Sequence, residues 1–168
     1  MKLPQSKLMR RLANIKLLTL DVDGVLTDGG LYYTEKGVLL RRFNVKDGQG
    51  IKRVMALGVT VALVSAGPAQ SIRQRGEDLG IPYVYAGVGD KLARVKKLCR
   101  KIDLSLSNTA HVGDDLNDLP LMQTISCPLT VADAVPEVLE AAVYVTRRGG
   151  GAGAVREICD LIAVARGK

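Results

Sequence analysis

The chain has 168 residues, a net charge of +7 and 47% hydrophobic residues, which predicts one soluble globular domain. It contains no tryptophan and one phenylalanine, so we expect a core of Leu, Val, Ile and Ala, as in parallel sheets. No apolar run reaches the roughly 20 residues that cross a bilayer, and the first residues lack the apolar segment of a signal peptide. These features predict a cytoplasmic protein that does not bind membranes.

The positive charge raises the question of nucleic-acid binding. The most basic stretch, residues 94–101, keeps Val95, Leu98 and Ile102 at helical spacing, so its cations are expected on the solvent face of a helix. Aromatic residues do not alternate with the basic groups as stacking platforms would. The sequence therefore favours a protein without a nucleic-acid partner.

The cysteines and the single histidine predict structural roles. Cys99, Cys127 and Cys159 are odd in number and form no C-x-x-C pair, which is typical of reduced, buried thiols. His111 ends a strand-like run, and we expect it to be packed or hydrogen-bonded. None of these residues is a candidate for the chemistry of the protein.

In chain order, the first predicted strand covers residues 15–20. Two short β-like runs, 31–34 and 38–43, follow as a hairpin that turns at Gly37. Asp47 is expected to cap a helix that ends at Gly58. The later predicted elements are a strand at 59–64, a helix from Pro68 to 79, a strand at 83–85, a helix at 91–102, a strand at 109–112, a helix at 115–123, a strand at 127–131, a helix at 136–141, a strand at 143–145 and a helix at 154–165.

This alternation predicts an α/β fold with three layers, a Rossmann-like parallel sheet covered by helices on both faces. We expect one domain over residues 1–168, with a hairpin insertion at about 31–43. In such folds the functional groups gather at the carboxyl ends of the strands. The residues expected there are Asp21, Asp23, Ser65, Ala66, Gly67, Lys91, Asp114, Asp115, Asn117 and Asp118.

These residue types predict phosphoryl transfer. Clustered carboxylates suit Mg²⁺, which also binds phosphate, and Lys91 could stabilise the charge of a transferring phosphoryl group. Asp21 could act as nucleophile, and Asp23, two residues on, could act as general acid and base from the same side of an extended chain. Gly24 permits a sharp turn that brings backbone N–H groups towards the phosphate.

The stretches DVDGVLTDG, VSAG, GDKL and GDDLND resemble the four motifs of the haloacid dehalogenase superfamily, in order. The longer stretches DVDGVLTDGGLYY, FNVKDGQGI, GDDLNDLPLM, VADAVPEV and GGGAGAVREI resemble its small capless members, the 3-deoxy-D-manno-octulosonate (KDO) 8-phosphate phosphatases. This resemblance covers about residues 15–165. It implies a haloacid dehalogenase-type sheet without a cap domain, and hydrolysis of a sugar-acid phosphate monoester with Mg²⁺ through an aspartyl-phosphate.

The resemblance also implies a role for each site residue. Asp21 would be the nucleophile, and Asp23 the acid and base that also gives Mg²⁺ its backbone carbonyl. Asp21 and Asp114 would bind the metal by their side chains, and Asp115 would lie just outside the ligands. The phosphate would be held by Ser65, Ala66, Gly24 and Lys91, with Asp118 orienting Lys91. In this family the hairpin helps to form a homotetramer, in which a neighbouring subunit covers the active site.

Two departures from the family leave the substrate open. The second motif is Ser65-Ala66-Gly67-Pro68 where an arginine is common, and the glycine-rich segment 150–153 also lacks one. Arginine is the usual bidentate binder of carboxylates, so Arg147, Arg148 and Arg156 are candidates to replace those missing. Similar phosphatases specific for nine-carbon sugar acids lack the same arginines in some cases, so the resemblance makes phosphatases of KDN 9-phosphate or N-acetylneuraminate 9-phosphate the first alternative.

Two further alternatives belong to other functional classes. A receiver domain of bacterial signalling also combines a parallel sheet, Mg²⁺ and an aspartyl-phosphate, but its lysine comes last in the chain. Here Lys91 precedes the second acidic cluster. A non-catalytic binding protein on the same fold is the other alternative, and the complete set Asp21, Asp23, Lys91 and Asp114 argues against it.

Overall fold

The computed structural model describes residues 4–68 and 70–168. Its strands are β1 (Leu17–Leu20), β2 (Tyr32–Tyr33), β3 (Leu39–Leu40), β4 (Thr60–Val64), β5 (Tyr83–Tyr85), β6 (Thr109–Gly113), β7 (Cys127–Thr130) and β8 (Tyr144–Val145). Its helices are α1 (Gln5–Ala13), α2 (Val45–Ala56), α3 (Gln70–Leu79), α4 (Lys91–Lys101), α5 (Leu119–Met122), α6 (Pro136–Ala141) and α7 (Ala154–Ala165), with 3₁₀ turns at Leu106–Asn108 and Leu116–Asp118.

A parallel six-stranded sheet forms the centre, in the order β5-β4-β1-β6-β7-β8. Successive residues of a strand point to opposite faces, and the apolar residues of β1 serve two cores. Leu18 and Leu20 pack in the larger core with residues of α1, α2, α3 and α7. Leu17 packs in a smaller core with residues of α4 and α5. The predicted three-layer α/β architecture is confirmed.

The topology places a crevice at the end of β1. From β1 the chain first builds β4 and β5 on one side, then β6, β7 and β8 on the other. Ligands bind at such a reversal, beyond the carboxyl ends of the strands. The backbone N–H of Asp21 still donates to Val112 O at 2.9 Å, so the first candidate residue is held in register with β6.

The hairpin lies between β1 and α2. Tyr32 pairs with Leu40 and Tyr33 with Leu39 in an antiparallel ladder, and Gly37 turns the chain with a φ of +73°. Each strand is shorter than predicted. Within the described residues, neither this connection nor the one from β5 to α4 contains an inserted domain.

Three helix starts differ from the sequence predictions. Asn44 caps α2, because its side chain accepts from Lys46 N at 2.8 Å; Asp47 lies in the first turn and instead accepts from Arg156 N at the start of α7, at 2.7 Å. The helix expected from Pro68 is described from Gln70, since residue 69 lies outside the described residues. The helix expected at 115–123 is a 3₁₀ turn followed by α5, because Asp115 and Asp118 form a capping box that tightens the turn.

Helix α1 was not predicted. Leu8 and Leu12 are its buried residues, and their spacing of four is the helical signal that the sequence contained. Among the described residues, no helix combines the length and the apolar character needed to span a bilayer.

Candidate functional site

A cleft of about 130 Å³ opens at the carboxyl ends of β1, β4 and β6. Asp21, Asp23, Ser65 and Asp114 are among the residues that line it. These side chains come from three strand ends that are far apart in sequence, and the parallel pairing of β1 with β4 and β6 brings them together. The convergence expected from the sequence is therefore present in the structure.

Lys91 links the carboxylates of Asp21 and Asp118. Its Nζ lies 2.6 Å from Asp21 Oδ2 and 2.6 Å from Asp118 Oδ1, and its side chain is 1% exposed. Burial alone would lower the pKa of Lys91, but the charges of Asp21 and Asp118 and their hydrogen bonds outweigh it and raise that pKa. Lys91 is therefore held as a cation beside the nucleophile candidate.

His111 extends this charge network into the core. Its Nε2 lies 2.7 Å from Asp118 Oδ1, and its Nδ1 lies 2.9 Å from Thr19 Oγ1. Burial would raise the pKa of Asp118, but the hydrogen bonds and charges of His111 and Lys91 lower it to about 2. Asp118 is thus an anion that fixes Lys91. We call the set Asp21, Lys91, Asp118, His111 and Thr19 the buried network.

The carboxyl groups of Asp114 and Asp21 both have raised pKa values. Burial, followed by the charges of Asp21 and Asp118, raises the pKa of Asp114 to about 8. Burial, followed by the charge of Asp118, raises the pKa of Asp21 to about 6 in spite of Lys91. Among the described residues, Asp114 Oδ1 is buried without a hydrogen-bond partner. A cation beside Asp21 and Asp114 would relieve both effects.

The donor set fits a hard divalent cation. Asp21, Asp114 and Asp118 each place one carboxylate oxygen within 4.8 Å of the others, and oxygen ligands are those that Mg²⁺ prefers. Asp118 is already engaged, because Oδ1 contacts Lys91 and His111 while Oδ2 accepts from Asp114 N at 3.2 Å. Asp21 accepts one hydrogen bond at each oxygen, from Val22 N at 2.7 Å and from Lys91 Nζ at 2.6 Å, and Asp114 Oδ1 accepts none from the residues that the structure describes. Asp21 and Asp114 therefore have more acceptor capacity left for a metal than Asp118.

Two smaller features shape the surroundings of the cleft. Ser65 is buried and its Oγ accepts from Gly67 N at 3.1 Å, whereas Ala66 is exposed beside it. Gly24 has a φ of +85°, and a Cβ there would collide with the carboxylate of Asp114. Only glycine satisfies both conditions.

Asp115 lines the cleft beside Asp114. Its side chain is exposed and accepts from Leu116 N at 2.7 Å, at the start of the 3₁₀ turn. It also belongs to the capping box with Asp118. Its visible contribution is therefore to shape the turn that carries Asp118.

Asp23 is the candidate whose partner the sequence did not reveal. Its carboxylate faces Arg41, whose Nε donates to Oδ1 at 2.7 Å and whose Nη2 donates to Oδ2 at 3.1 Å. Arg41 follows the hairpin, and no local pattern ties it to residue 23. Asp23 is consequently absent from the three side chains that meet at the candidate metal position.

The three arginines proposed from the sequence lie elsewhere. Arg147, Arg148 and Arg156 line a different depression, beside α7. Arg147 is 88% exposed and lies 3.6 Å from Glu157, and Arg156 donates to Asp160 at 2.8 Å. None of these three lines the cleft of Asp21, whereas Arg41 contacts Asp23, which does line it.

The chain is similar to known hydrolases over most of its length. The family model of haloacid dehalogenase-like hydrolases matches residues 84–158. A 3-deoxy-D-manno-octulosonate 8-phosphate phosphatase of Escherichia coli BL21-DE3 is 44% identical over 160 residues, which cover 95% of this chain and 85% of that protein.

Solved structures give the same result. The 3-deoxy-D-manno-octulosonate 8-phosphate phosphatase of Yersinia pestis superposes with a TM-score of 0.94 at 42% identity, covering 96% of this chain and 87% of its own. The phosphatase of that name from Moraxella catarrhalis, solved in complex with magnesium ion, phosphate ion and KDO, has a TM-score of 0.94 at 32% identity, with 96% and 93% covered.

Proposed function

Because this chain belongs to the haloacid dehalogenase-like hydrolases, in the family of the KDO 8-phosphate phosphatases, we propose that it hydrolyses KDO 8-phosphate to KDO and phosphate. It is a phosphoric monoester hydrolase. The observation that carries the proposal is the placement of Asp21, Asp114 and Ser65 around one cleft, with Lys91 buried against Asp21. A nucleophile, a cation site and a phosphate-binding hydroxyl are thereby combined at one strand edge.

The residues divide the reaction into two steps. A carboxylate oxygen of Asp21 attacks phosphorus, the bond from phosphorus to the sugar oxygen breaks, and Asp23 gives its proton to the leaving oxygen. Asp23 then takes a proton from water, whose oxygen attacks the same phosphorus and releases phosphate and Asp21. Lys91 and Ser65 hold the phosphoryl oxygens, with backbone groups near Gly24 and Ala66.

Mg²⁺ is the cofactor, and Asp21, Asp114 and the backbone carbonyl of Asp23 would hold it. It would supply positive charge that offsets the repulsion between Asp21, Asp114 and the phosphate. Asp118 does not bind the metal in this proposal, because Lys91 and His111 occupy its Oδ1. It orients Lys91, and Asp115 supports the turn that carries Asp118.

We further propose a homotetramer in which a neighbouring subunit covers the cleft. Support comes from the hairpin, which exposes large apolar side chains that single folded chains rarely leave together in water. The exposed residues are Leu31, Tyr32, Tyr33, Val38 and Leu40. Light scattering at micromolar concentration tests this assembly, and a monomer mass would contradict it.

A cytoplasmic location completes the proposal. The three cysteines are free and buried, as expected in a reducing compartment. Burial raises the pKa of Cys127 to about 12, which keeps that thiol protonated and unreactive.

The test is phosphate release with Mg²⁺ from three substrates: KDO 8-phosphate, KDN 9-phosphate and N-acetylneuraminate 9-phosphate. We expect a clear preference for KDO 8-phosphate, with activity lost in EDTA and in Asp21→Asn. A preference for a nine-carbon substrate would assign the chain to the alternative that the missing arginines of residues 65–68 and 150–153 left open. No release from any of the three, with Mg²⁺ bound, would favour the non-catalytic alternative.

A further inference from the structure

Arg41 is buried against the side chain of Asp23. Its side chain is 2% exposed, whereas that of Asp23 is 30% exposed. Each of its three guanidinium nitrogens donates a hydrogen bond: Nε and Nη2 to the two carboxylate oxygens of Asp23, at 2.7 and 3.1 Å, and Nη1 to Ser71 Oγ at 2.8 Å. A guanidinium engaged at every nitrogen is a fixed group in the structure.

The surroundings leave room for this pair. A Cβ on Gly67 would lie 2.8 Å from Arg41 Nη2 and would also collide with Asp23 Oδ2. Gly67, in the loop after β4, has no side chain, and this leaves room for Arg41, which follows β3, to contact Asp23, which follows β1. Ser71, in the first turn of α3, holds the far side of the guanidinium.

A paired contact of this kind fixes an orientation. Two parallel N–H···O bonds define the plane of the carboxylate as well as its position, whereas a free carboxylate rotates broadly about its last torsion. A general acid is effective only within hydrogen-bond reach of the atom that it protonates. Misplacement of such a group by about 1 Å can lower a rate by about 10²-fold.

We propose that Arg41 is a positioning residue, which orients the carboxylate of Asp23 for proton exchange with the leaving sugar oxygen. The proposal rests on the phosphatase function and deepens it. Arg41 acts through Asp23, and the hairpin thereby controls the acid and base of the reaction. The other interpretation, in which Arg41 binds the carboxylate of the substrate, is less favoured because the Arg41 side chain is 2% exposed and three of its five N–H groups already donate to Asp23 and Ser71.

The first experiment compares kcat/KM for leaving groups of different quality. 4-Nitrophenyl phosphate releases a stable anion that needs no proton, whereas KDO 8-phosphate and glucose 6-phosphate release alkoxides that do. General acids contribute about 10²–10⁴-fold, so we expect Arg41→Met to lower kcat/KM at least about 20-fold for both sugar phosphates. For 4-nitrophenyl phosphate we expect a change below about threefold.

Arg42→Met is the matched control. Arg42 is the next residue of the same segment, is 69% exposed and pairs with Asp28 at 3.3 Å, so it carries the same charge without touching Asp23. It should change none of the three values by more than about twofold. Arg41→Lys keeps the charge but only one contact, and should recover part of the loss.

A double-mutant cycle separates the two readings. If Arg41 acts through Asp23, Arg41→Met should have no further effect on KDO 8-phosphate in an Asp23→Asn background. An additional loss there, or a loss confined to KDO 8-phosphate among the sugar phosphates, would assign Arg41 to the substrate carboxylate and overturn the proposal. An equal loss on all three substrates would show a purely structural role, and no loss on any would remove Arg41 from the reaction.

Ser71→Ala is the second variant, for the case that Arg41→Met fails to fold. It removes the contact of Arg41 Nη1 with Ser71, and it should lower kcat/KM for the sugar phosphates more than for 4-nitrophenyl phosphate, by a smaller factor than Arg41→Met. Equal effects on all substrates would overturn the proposal. If the wild type releases phosphate from glucose 6-phosphate but not from KDO 8-phosphate, the proposed substrate fails. The comparison between glucose 6-phosphate and 4-nitrophenyl phosphate then still decides the role of Arg41.

Discussion

Two assemblies of charge meet at the end of β1, and they are built differently. The buried network runs from Asp21 through Lys91 and Asp118 to His111, and the side chains of its last three members are 0–1% exposed. The second assembly is the ion pair of Arg41 and Asp23, which we call the hairpin pair. Arg41 follows the second strand of the hairpin, and the side chain of Asp23 is 30% exposed. One assembly belongs to the sheet and its core, and the other depends on a peripheral segment.

This difference indicates that the two assemblies have different roles. The carboxylate proposed to form a covalent bond is set by elements that also hold the fold together, so its position is coupled to stability. The carboxylate proposed to move protons is oriented by Arg41, from the segment between β3 and α2. Variants of the buried network should therefore lower stability and activity together, and variants of the hairpin pair should lower activity with a smaller loss of stability.

The largest expected effect comes from removing the nucleophile. Asp21→Asn keeps the shape of the side chain but cannot form an aspartyl-phosphate by carboxylate attack, and we expect kcat to fall at least about 10³-fold. The measurement is phosphate release from KDO 8-phosphate under saturating Mg²⁺. Asp78→Asn, an exposed change on α3 where Asp78 accepts from Gln74, is the matched control. Retention of a tenth of the wild-type activity would exclude Asp21 as nucleophile.

Lys91→Met should have the next largest effect, on stability as well as activity. It leaves Asp21 and Asp118 buried without their cation, and breaking a buried ion pair costs about 3–5 kcal/mol. Urea unfolding measures the loss, with Lys97→Met, an exposed position of the same helix, as the control. A stable Lys91→Met protein that had lost only activity would show that the buried network is not coupled to the fold.

The sequence contained the signals for the buried network. Asp21, Lys91 and Asp118 each lie at or just beyond a predicted strand end, and the rule that parallel strands share one carboxyl edge is enough to bring them together. The same reasoning located Ser65 and Asp114. Their exact hydrogen bonds, including the link from Asp118 to His111, depend on side-chain packing that periodicity does not encode.

The second assembly could not be found in this way. Arg41 lies 18 residues from Asp23 in a segment of irregular backbone, and the reach of an arginine side chain makes many partners possible from sequence alone. The sequence predicted Arg147, Arg148 and Arg156 instead, because they lie near a departure from the family motif. The helix α1 was missed for a related reason, since its basic residues obscured the spacing of Leu8 and Leu12.

His111→Phe probes the inner end of the buried network. It fills much of the same volume but removes the contacts to Asp118 and Thr19, and an unsatisfied buried group costs about 1–3 kcal/mol. Thermal unfolding measures the change. Thr19→Val keeps the contact of His111 with Asp118 but removes the hydroxyl that contacts His111 Nδ1 and donates to Ala110 O at 3.2 Å, and it should cost about 1 kcal/mol. If His111→Phe were as stable as the wild type, the ring would serve packing alone and Asp118 would need no second partner.

The smallest effect expected is a pH-dependent stabilisation by Mg²⁺, and it separates the two assemblies. The folded pKa of Asp114, about 8, and that of Asp21, about 6, lie above their usual value near 4. The metal-free folded protein therefore binds more protons than the unfolded chain between about pH 4 and pH 8, and its stability falls as pH rises through that window.

Mg²⁺ binds the ionised carboxylates, so the increase in Tm that it causes should be larger at pH 8.5 than at pH 5.5, by a few degrees. Asp114→Asn should abolish most of this difference, because it removes the carboxylate with the most strongly raised pKa. Arg41→Met should leave it unchanged, because the hairpin pair contributes no side chain to the three that meet at the metal position. Differential scanning fluorimetry of the three proteins at both pH values gives the answer. A loss of the Mg²⁺ effect in Arg41→Met would mean that the side chain of Asp23 binds the ion, and that the two assemblies are one.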